Sequence, residues 1–275
     1  MDNLLSHRPR KRFGQHFLHD PAVIGRIVAA IQPRESDAIV EIGPGQGAIT
    51  VPLLRAAGRL QVVELDRDLL GPLREQCRET GDLTLHNADA LRVDFCRLTD
   101  VAAPLRIVGN LPYNISTPLL FHRLSQMRCI SDMHFMLQKE VVDRLAAAPG
   151  SRQYGRLSVM VQYRCRVTRL FTIGPGAFQP PPRVESAFVR LQPYRELPVT
   201  IVDEAVLETL VRKAFAQRRK TLRNALRGML EEEAIRRLGI DPSVRAEMLG
   251  LSEFAALANY AALRLPGITK KQENV

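Results

Sequence analysis

An open, doubly wound α/β sheet followed by a smaller all-helical domain is the architecture this 275-residue sequence predicts. Three observations carry that expectation. Short β-branched or apolar runs alternate with helix-length segments through the first two thirds. A Gly/Pro-rich connection then joins two further strand signals. After Pro193 and Pro198 the strand signals stop.

The first strands are expected at Ala38–Ile42, Leu60–Leu65, Leu83–Ala88, Leu105–Val108 and Met133–Leu137. They are apolar nearly throughout, as parallel strands covered on both faces must be. Segments such as Ala48–Ala57 and Arg67–Glu79 between them are long enough for crossover helices. Arg166–Ile173 and Ser186–Leu191, joined through GPGAFQPPP, predict an antiparallel pair that completes a seven-stranded sheet. Leu207, Leu210, Val211, Ala214, Leu222, Ala225, Leu226 and Met229 then recur at helical spacing. Asp241-Pro242 and Ser252 before Glu253 are expected as helix starts. The expected domains are therefore residues 1–198 and a helical domain over 199–275.

Composition narrows the function classes. With 45% apolar and 25% charged residues the chain is neither disordered, collagenous nor disulfide-stapled. No uncharged apolar stretch approaches the ~18 residues that span a bilayer. The opening MDNLLSHRPRKR lacks the apolar core of a secretory signal, so a cytoplasmic protein is expected. Cys77, Cys96, Cys129 and Cys165 are widely spaced and read as reduced thiols. The net charge of +10 calls for a polyanionic partner rather than a membrane. Residues 141–200 hold nine arginines against Asp143, Glu185 and Glu196. Arg8, Arg10, Lys11 and Arg12 form a second basic cluster, and Arg218, Arg219, Lys220, Arg223 and Arg227 a third.

The first strand runs into Gly43-Pro44-Gly45-Gln46-Gly47, where glycines permit a tight turn and close approach of a ligand to the backbone. The G-x-G-x-G spacing is one residue shorter than a dinucleotide fingerprint, and no Lys-Ser/Thr follows for a triphosphate. Glu64 ends the second strand, placed to accept both hydroxyls of a ribose. Asp89 ends the third and can accept from an adenine amino group. A nucleoside without a pyrophosphate points to S-adenosylmethionine rather than NAD. The fourth strand leads to Asn110-Leu111-Pro112-Tyr113. There the Asn110 amide oxygen and the Leu111 carbonyl can hold the hydrogens of an exocyclic amine and stabilise charge growing on its nitrogen. Tyr113 can stack on an extruded base, and Phe178 is a second candidate aromatic face.

The glycine loop and its acids resemble motifs I to III of the Rossmann-like class I methyltransferases, whose sheet ends in an antiparallel strand. Residues 10–18 (RKRFGQHFL), 109–116 (GNLPYNIS) and 178–186 (FQPPPRVES) are similar to motifs of the ribosomal RNA adenine N6-methyltransferases. Residues 135–142, 154–159 and 214–224 extend the resemblance, the last (AFAQRRKTLRN) toward the small-subunit branch. The resemblance implies S-adenosylmethionine-dependent dimethylation of two adjacent adenosines near the 3′ end of small-subunit ribosomal RNA, within an assembling 30S particle. It implies that His16, Leu18, Gly43, Gly45, Glu64, Asp89 and Asn110 hold the cofactor. Many relatives carry Asn where this chain has His16. Arg10, Lys11 and Arg12 are expected to meet RNA, as are Lys220 and a helical stripe of Arg219, Arg223 and Arg227 at i, i+4, i+8. No metal is expected, since His16, His19 and Asp20 make too small a ligand set. The chain is expected to act as a monomer. The competing readings are a large-subunit methylase of the antibiotic-resistance type, a non-catalytic assembly or transcription factor on the same fold, and a nicotinamide-dependent oxidoreductase. The intact Glu64, Asp89 and Asn110–Tyr113 disfavour lost catalysis. The short glycine loop and the Asn110–Tyr113 turn disfavour the oxidoreductase.

Overall fold

The computed structural model describes residues 15–99, 104–112, 116–124 and 126–264, to which every structural statement below refers. In chain order the elements are β1 (Phe17–Leu18), α1 (Pro21–Ile31), β2 (Ala38–Ile42), α2 (Thr50–Ala57), β3 (Arg59–Glu64) and α3 (Arg67–Cys77). Next come β4 (Asp82–Asn87), β5 (Leu105–Asn110), α4 (Ser116–Leu124), β6 (Ile130–Gln138), α5 (Lys139–Leu145) and α6 (Arg156–Arg164). β7 (Cys165–Ile173), β8 (Phe178–Gln179) and β9 (Ser186–Pro193) precede α7 (Glu204–Phe215), α8 (Leu222–Ala225), α9 (Glu232–Arg237) and α10 (Leu251–Arg264).

These elements form two compact units, Met1–Val142 with Arg166–Pro193, and Asp143–Cys165 with Tyr194–Val275. In the first, seven strands lie in the order β4-β3-β2-β5-β6-β9-β7. Val40 of β2 pairs in parallel with Gln61 on one side and Ile107 on the other, so β2 is central. β9 runs antiparallel to β6, the late reversed strand the sequence predicts. Chain order reverses between β2 and β5, which opens a crevice beyond their C-terminal ends. Ile39, Val40, Leu53, Leu54, Leu73, Val108 and Phe188 are among the buried residues beneath it. α1 starts where Asp20 accepts from the Ala22 and Val23 amides at 2.8 and 3.2 Å, with Pro21 at the first turn.

In the second unit, Leu207, Leu210, Val211, Leu222, Leu226, Phe254, Leu257 and Ala261 make one core. The helical spacing after residue 200 is thus a buried face. That core also takes Ala147, Tyr154, Val159 and Tyr163, which the expected boundary near residue 198 left with the sheet. Their apolar side chains are buried against the C-terminal helices, so residues 143–165 join them despite preceding β9 in the chain.

The expectation of four reduced thiols is corrected as well. Cys96 and Cys129 form a disulfide, with Cα atoms 5.4 Å apart, while Cys77 and Cys165 are free and buried. A separation of 33 residues conceals that the 3₁₀ turns Phe95–Leu98 and Met127–Cys129 are neighbours.

A buried charge network crosses the sheet below the crevice. Arg106 of β5 donates to Asp132 of β6 at 3.0 and 3.1 Å and to Asp37 at 2.7 Å. Its remaining hydrogens reach the Ile31 and Gln32 carbonyls. Arg190 of β9 adds a 3.1 Å bond to Asp132. His134 lies 3.7 Å from Asp132 but stays neutral, because burial holds its pKa down at about 4, with Arg106 and Arg190 also opposing a further cation. The unfolded chain takes a proton near pH 6.5 and the folded one does not, so stability is full above about 6.5 and falls as pH drops toward 4. The loss reaches roughly 3 kcal/mol. Urea denaturation at pH 7.5 and 5 is expected to show a smaller pH effect in His134→Leu than in the parent; equal pH effects would contradict this assignment.

Candidate active site

The site forms where β2 stops. Gly43, Gly45 and Gly47 all have positive φ, and the Gly43 amide donates to the Val63 carbonyl at 3.0 Å, tying the loop to β3. Gly45 allows no side chain. Its φ is +57°, and a Cβ there meets the Phe17 ring at 3.0 Å. The loop opens onto a cavity of about 330 Å³ at the C-terminal ends of β2, β3 and β5 and the loop after β4. His16, Leu18, Gly43, Gly45, Glu64, Asp89, Asn110, Leu111 and Pro112 all line it, so one cavity gathers most of the sequence-predicted set.

Three of the polar side chains there, Glu64, Asp89 and Asn110, are held by backbone. Glu64 accepts the Asp66 amide on Oε1 at 2.8 Å, and burial pushes its pKa up. Asn87 donates to the Glu64 carbonyl at 2.9 Å, fixing the strand end that carries the carboxylate. Asp89 accepts the Leu91 amide at 2.9 Å, so it caps its own turn while facing the cavity. Asn110 donates from Nδ2 to the His16 carbonyl at 3.0 Å.

The His16–Leu18 segment is secured from the far side. β1 pairs antiparallel with β8, Phe17 opposite Gln179 and Leu18 opposite Phe178. The His19 amide donates to the Ala177 carbonyl at 3.0 Å, and His16 Nδ1 donates to the Pro180 carbonyl at 2.8 Å. Phe178 departs from the expected open aromatic face. It is 2% exposed, packed in the core that includes Leu18, Met136 and Phe188, because its β8 position turns the ring into the sheet's apolar layer. Tyr113 lies outside the described residues, as do Arg10, Lys11 and Arg12.

Glu41 also lines the cavity and is not among the ligands expected from the sequence. It is 1% exposed, and burial raises its pKa to about 7. Neither Glu41 Oε2 nor Thr50 Oγ1 has a hydrogen-bond partner among the described residues. The signal was a carboxylate inside the otherwise apolar strand Ala38–Ile42, where an unpaired charge is costly unless a ligand meets it.

In the second unit the arginine stripe does not form. α8 spans only Leu222–Ala225, with Arg219 and Lys220 in the preceding turn and Arg227 beyond its end. The chain breaks because Thr221 pairs with Arg245 in an isolated bridge and Gly228 takes φ +77°. All four basic side chains are exposed. Arg223 is 3.3 Å from Glu232, and Arg227 donates to Asn224 at 3.1 Å.

A family model for ribosomal RNA adenine dimethylases matches residues 6–263. The chain is 56% identical over 258 residues to ribosomal RNA small subunit methyltransferase A of Nitrosococcus oceani, covering 94% of this chain and 98% of that one. It is 55% identical to the protein of that name from Pseudomonas aeruginosa, covering 97% and 99%. Among solved structures it resembles a dimethyladenosine transferase from Plasmodium falciparum, with a TM-score of 0.75 and 26% identity over 88% of this chain and 96% of that one. With strand order, cavity and near full-length likeness in agreement, this chain belongs to the ribosomal RNA adenine dimethylase family.

Proposed function

We propose that this protein methylates the N6 amines of two adjacent adenosines near the 3′ end of 16S ribosomal RNA to dimethyladenosine, using S-adenosylmethionine. It does so as a cytoplasmic monomer acting on an assembling small subunit. No helix among the described residues is long and apolar enough to cross a membrane. The observation that carries the reading is Asn110: its amide nitrogen donates to the His16 carbonyl beside a cavity that holds Glu64 and Asp89.

The cavity's residues fit S-adenosylmethionine. The unpartnered Glu41 Oε2 suits a ligand with a cationic end, Glu64 a pair of vicinal hydroxyls, and Asp89 a base amino group. The glycine loop keeps side chains out of the space between them. When bound, S-adenosylmethionine supplies a methyl group made electrophilic by its sulfonium.

The chain's own residues then act on the adenine. Its N6 lone pair is delocalised into the ring, so the amine is a weak nucleophile. Asn110 Oδ1 and the Leu111 carbonyl accept its hydrogens and orient the lone pair. Both are neutral oxygens that stabilise positive charge as it grows on nitrogen, and being fixed beforehand they do so without reorganisation. No strong base is needed, since the nitrogen becomes acidic only once it has four bonds. Tyr113 stacks on the base, and Phe178 supports the strand pair beside it. Exposed Arg219, Lys220, Arg223 and Arg227, with Arg10, Lys11 and Arg12, supply phosphate contacts.

Glu41 gives the binding step a pH signature. With its pKa raised to about 7 it is largely protonated at pH 6, and a cationic ligand favours the ionised form. Binding of the methyl donor is therefore expected to release close to one proton at pH 6 and almost none at pH 8.5. Calorimetry at pH 6 in two buffers of different ionisation enthalpy reads this directly. Identical heats in both buffers, or a Glu41→Gln variant with unchanged buffer dependence, would contradict it.

The function itself is tested by incubating the protein with labelled donor and undermethylated small subunits, then mapping the modified nucleotides. Label on N6 of two neighbouring adenosines near the 3′ end is expected. Label confined to large-subunit RNA, or none despite bound donor, would overturn the reading.

A further inference from the structure

We infer that His16 is a positioning residue for methyl transfer, because its main-chain carbonyl selects which end of the Asn110 amide faces the substrate. The inference rests on the reading of this site as an adenine N6-methyltransferase.

An asparagine amide has a donor end and an acceptor end of nearly the same shape, and only its surroundings decide which points where. The His16 carbonyl lies 3.0 Å from Asn110 Nδ2. A flipped amide sets two carbonyl oxygens against each other, which is repulsive and leaves a half-buried acceptor without a donor. The donor end is therefore committed to His16, and Oδ1 is the end left for the cavity. An amine that carries hydrogens needs an acceptor there; a flipped Asn110 presents N–H groups to N–H groups.

This selection works only while the His16 carbonyl stays in place, and the segment that carries it is short. β1 is two residues long, and its partner β8 is two residues long. The His16 ring adds a further tie, since the Pro180 carbonyl can only accept and Nδ1–H must donate across 2.8 Å. His16 thereby links three pieces of chain: its own arm, the end of β5 through Asn110, and the proline turn after β8. The ring holds the arm, and the arm's carbonyl holds the catalytic amide.

A residue that merely contacts the methyl donor and one that orients Asn110 differ in what their loss does. Truncation to His16→Ala keeps a carbonyl but frees the arm, so kcat is expected to fall roughly ten- to hundredfold with donor Kd changed by less than about threefold. His16→Asn retains a side-chain N–H for the Pro180 carbonyl and is expected to recover most of that rate. His16→Asp, which sets a carboxylate against the carbonyl, is not.

The deciding measurement is a double-mutant cycle in single-turnover methylation. If His16 acts through Asn110, adding His16→Ala to Asn110→Ala costs less than about twofold, since the group it orients is already gone. The same fold-loss in both backgrounds, or a loss confined to donor Kd with kcat intact, overturns the inference. Near-parental turnover of His16→Ala in the otherwise unaltered protein does so too. Wild-type protein that fails to methylate adenine at all refutes the proposed function instead, which keeps the two failures apart.

Discussion

Replacing Asn110 by alanine is expected to cut turnover by about ten- to hundredfold or somewhat more, with donor affinity nearly unchanged. The substitution removes one preorganised acceptor from the reacting amine, a loss of roughly 1–3 kcal/mol that falls on the transition state rather than on the bound cofactor. It also leaves the His16 carbonyl without the Nδ2 donor it now has at 3.0 Å. Single-turnover rates and equilibrium donor binding, measured on the same preparation, separate the two effects. Turnover within about twofold of the parent would reject the role of Asn110, and a parallel collapse of donor binding would make it a cofactor ligand only.

The largest stability effect is expected at Arg106. Its guanidinium is 13% exposed, and it neutralises Asp132, whose side chain is 3% exposed, and Asp37, at 17%. Arg106→Leu takes the shared cation from both carboxylates, and breaking a buried pair in this way costs about 3–5 kcal/mol. Arg190 still reaches Asp132 at 3.1 Å and the Arg34 amide still donates to Asp37 at 2.9 Å, so each carboxylate keeps one partner and the loss falls toward the lower end of that range. The midpoint of urea unfolding followed by far-UV circular dichroism is the readout. Adding Asp37→Asn and Asp132→Leu to Arg106→Leu is expected to recover much of the loss, because the cost comes from uncompensated charge and not from missing attraction. A single substitution that leaves the midpoint unmoved would show the network to be solvated.

The strands were legible because physics left little choice: runs such as Ala38–Ile42 and Leu60–Leu65, the latter seen as Arg59–Glu64, are apolar enough to require cover on both faces. The site was legible for the same reason, since glycines and acids at successive strand ends have few structural roles. What escaped was non-local. The two-residue strands β1 and β8 carry no periodicity, so the pairing that brings His16 to Asn110 has no trace in either segment. The Cys96–Cys129 bond joins turns 33 residues apart in sequence. Arg219, Arg223 and Arg227 share a helical spacing, but spacing cannot show that the helix stops after Ala225. Phe178 sits in a motif that implies a substrate contact, while its own ring obeys the simpler demand of an apolar layer. Residues 143–165 went to the helical unit because their apolar faces, rather than their place in the chain, decide their neighbours.

A crystal structure with S-adenosylmethionine bound tests most directly whether a sulfonium donor and an adenine amine meet beside Asn110. The account requires the donor's ribose at Glu64 and its methyl directed toward Asn110 Oδ1, with room between them for one planar base. A donor seated outside this cavity, or one whose methyl faces away from Asn110, would contradict it.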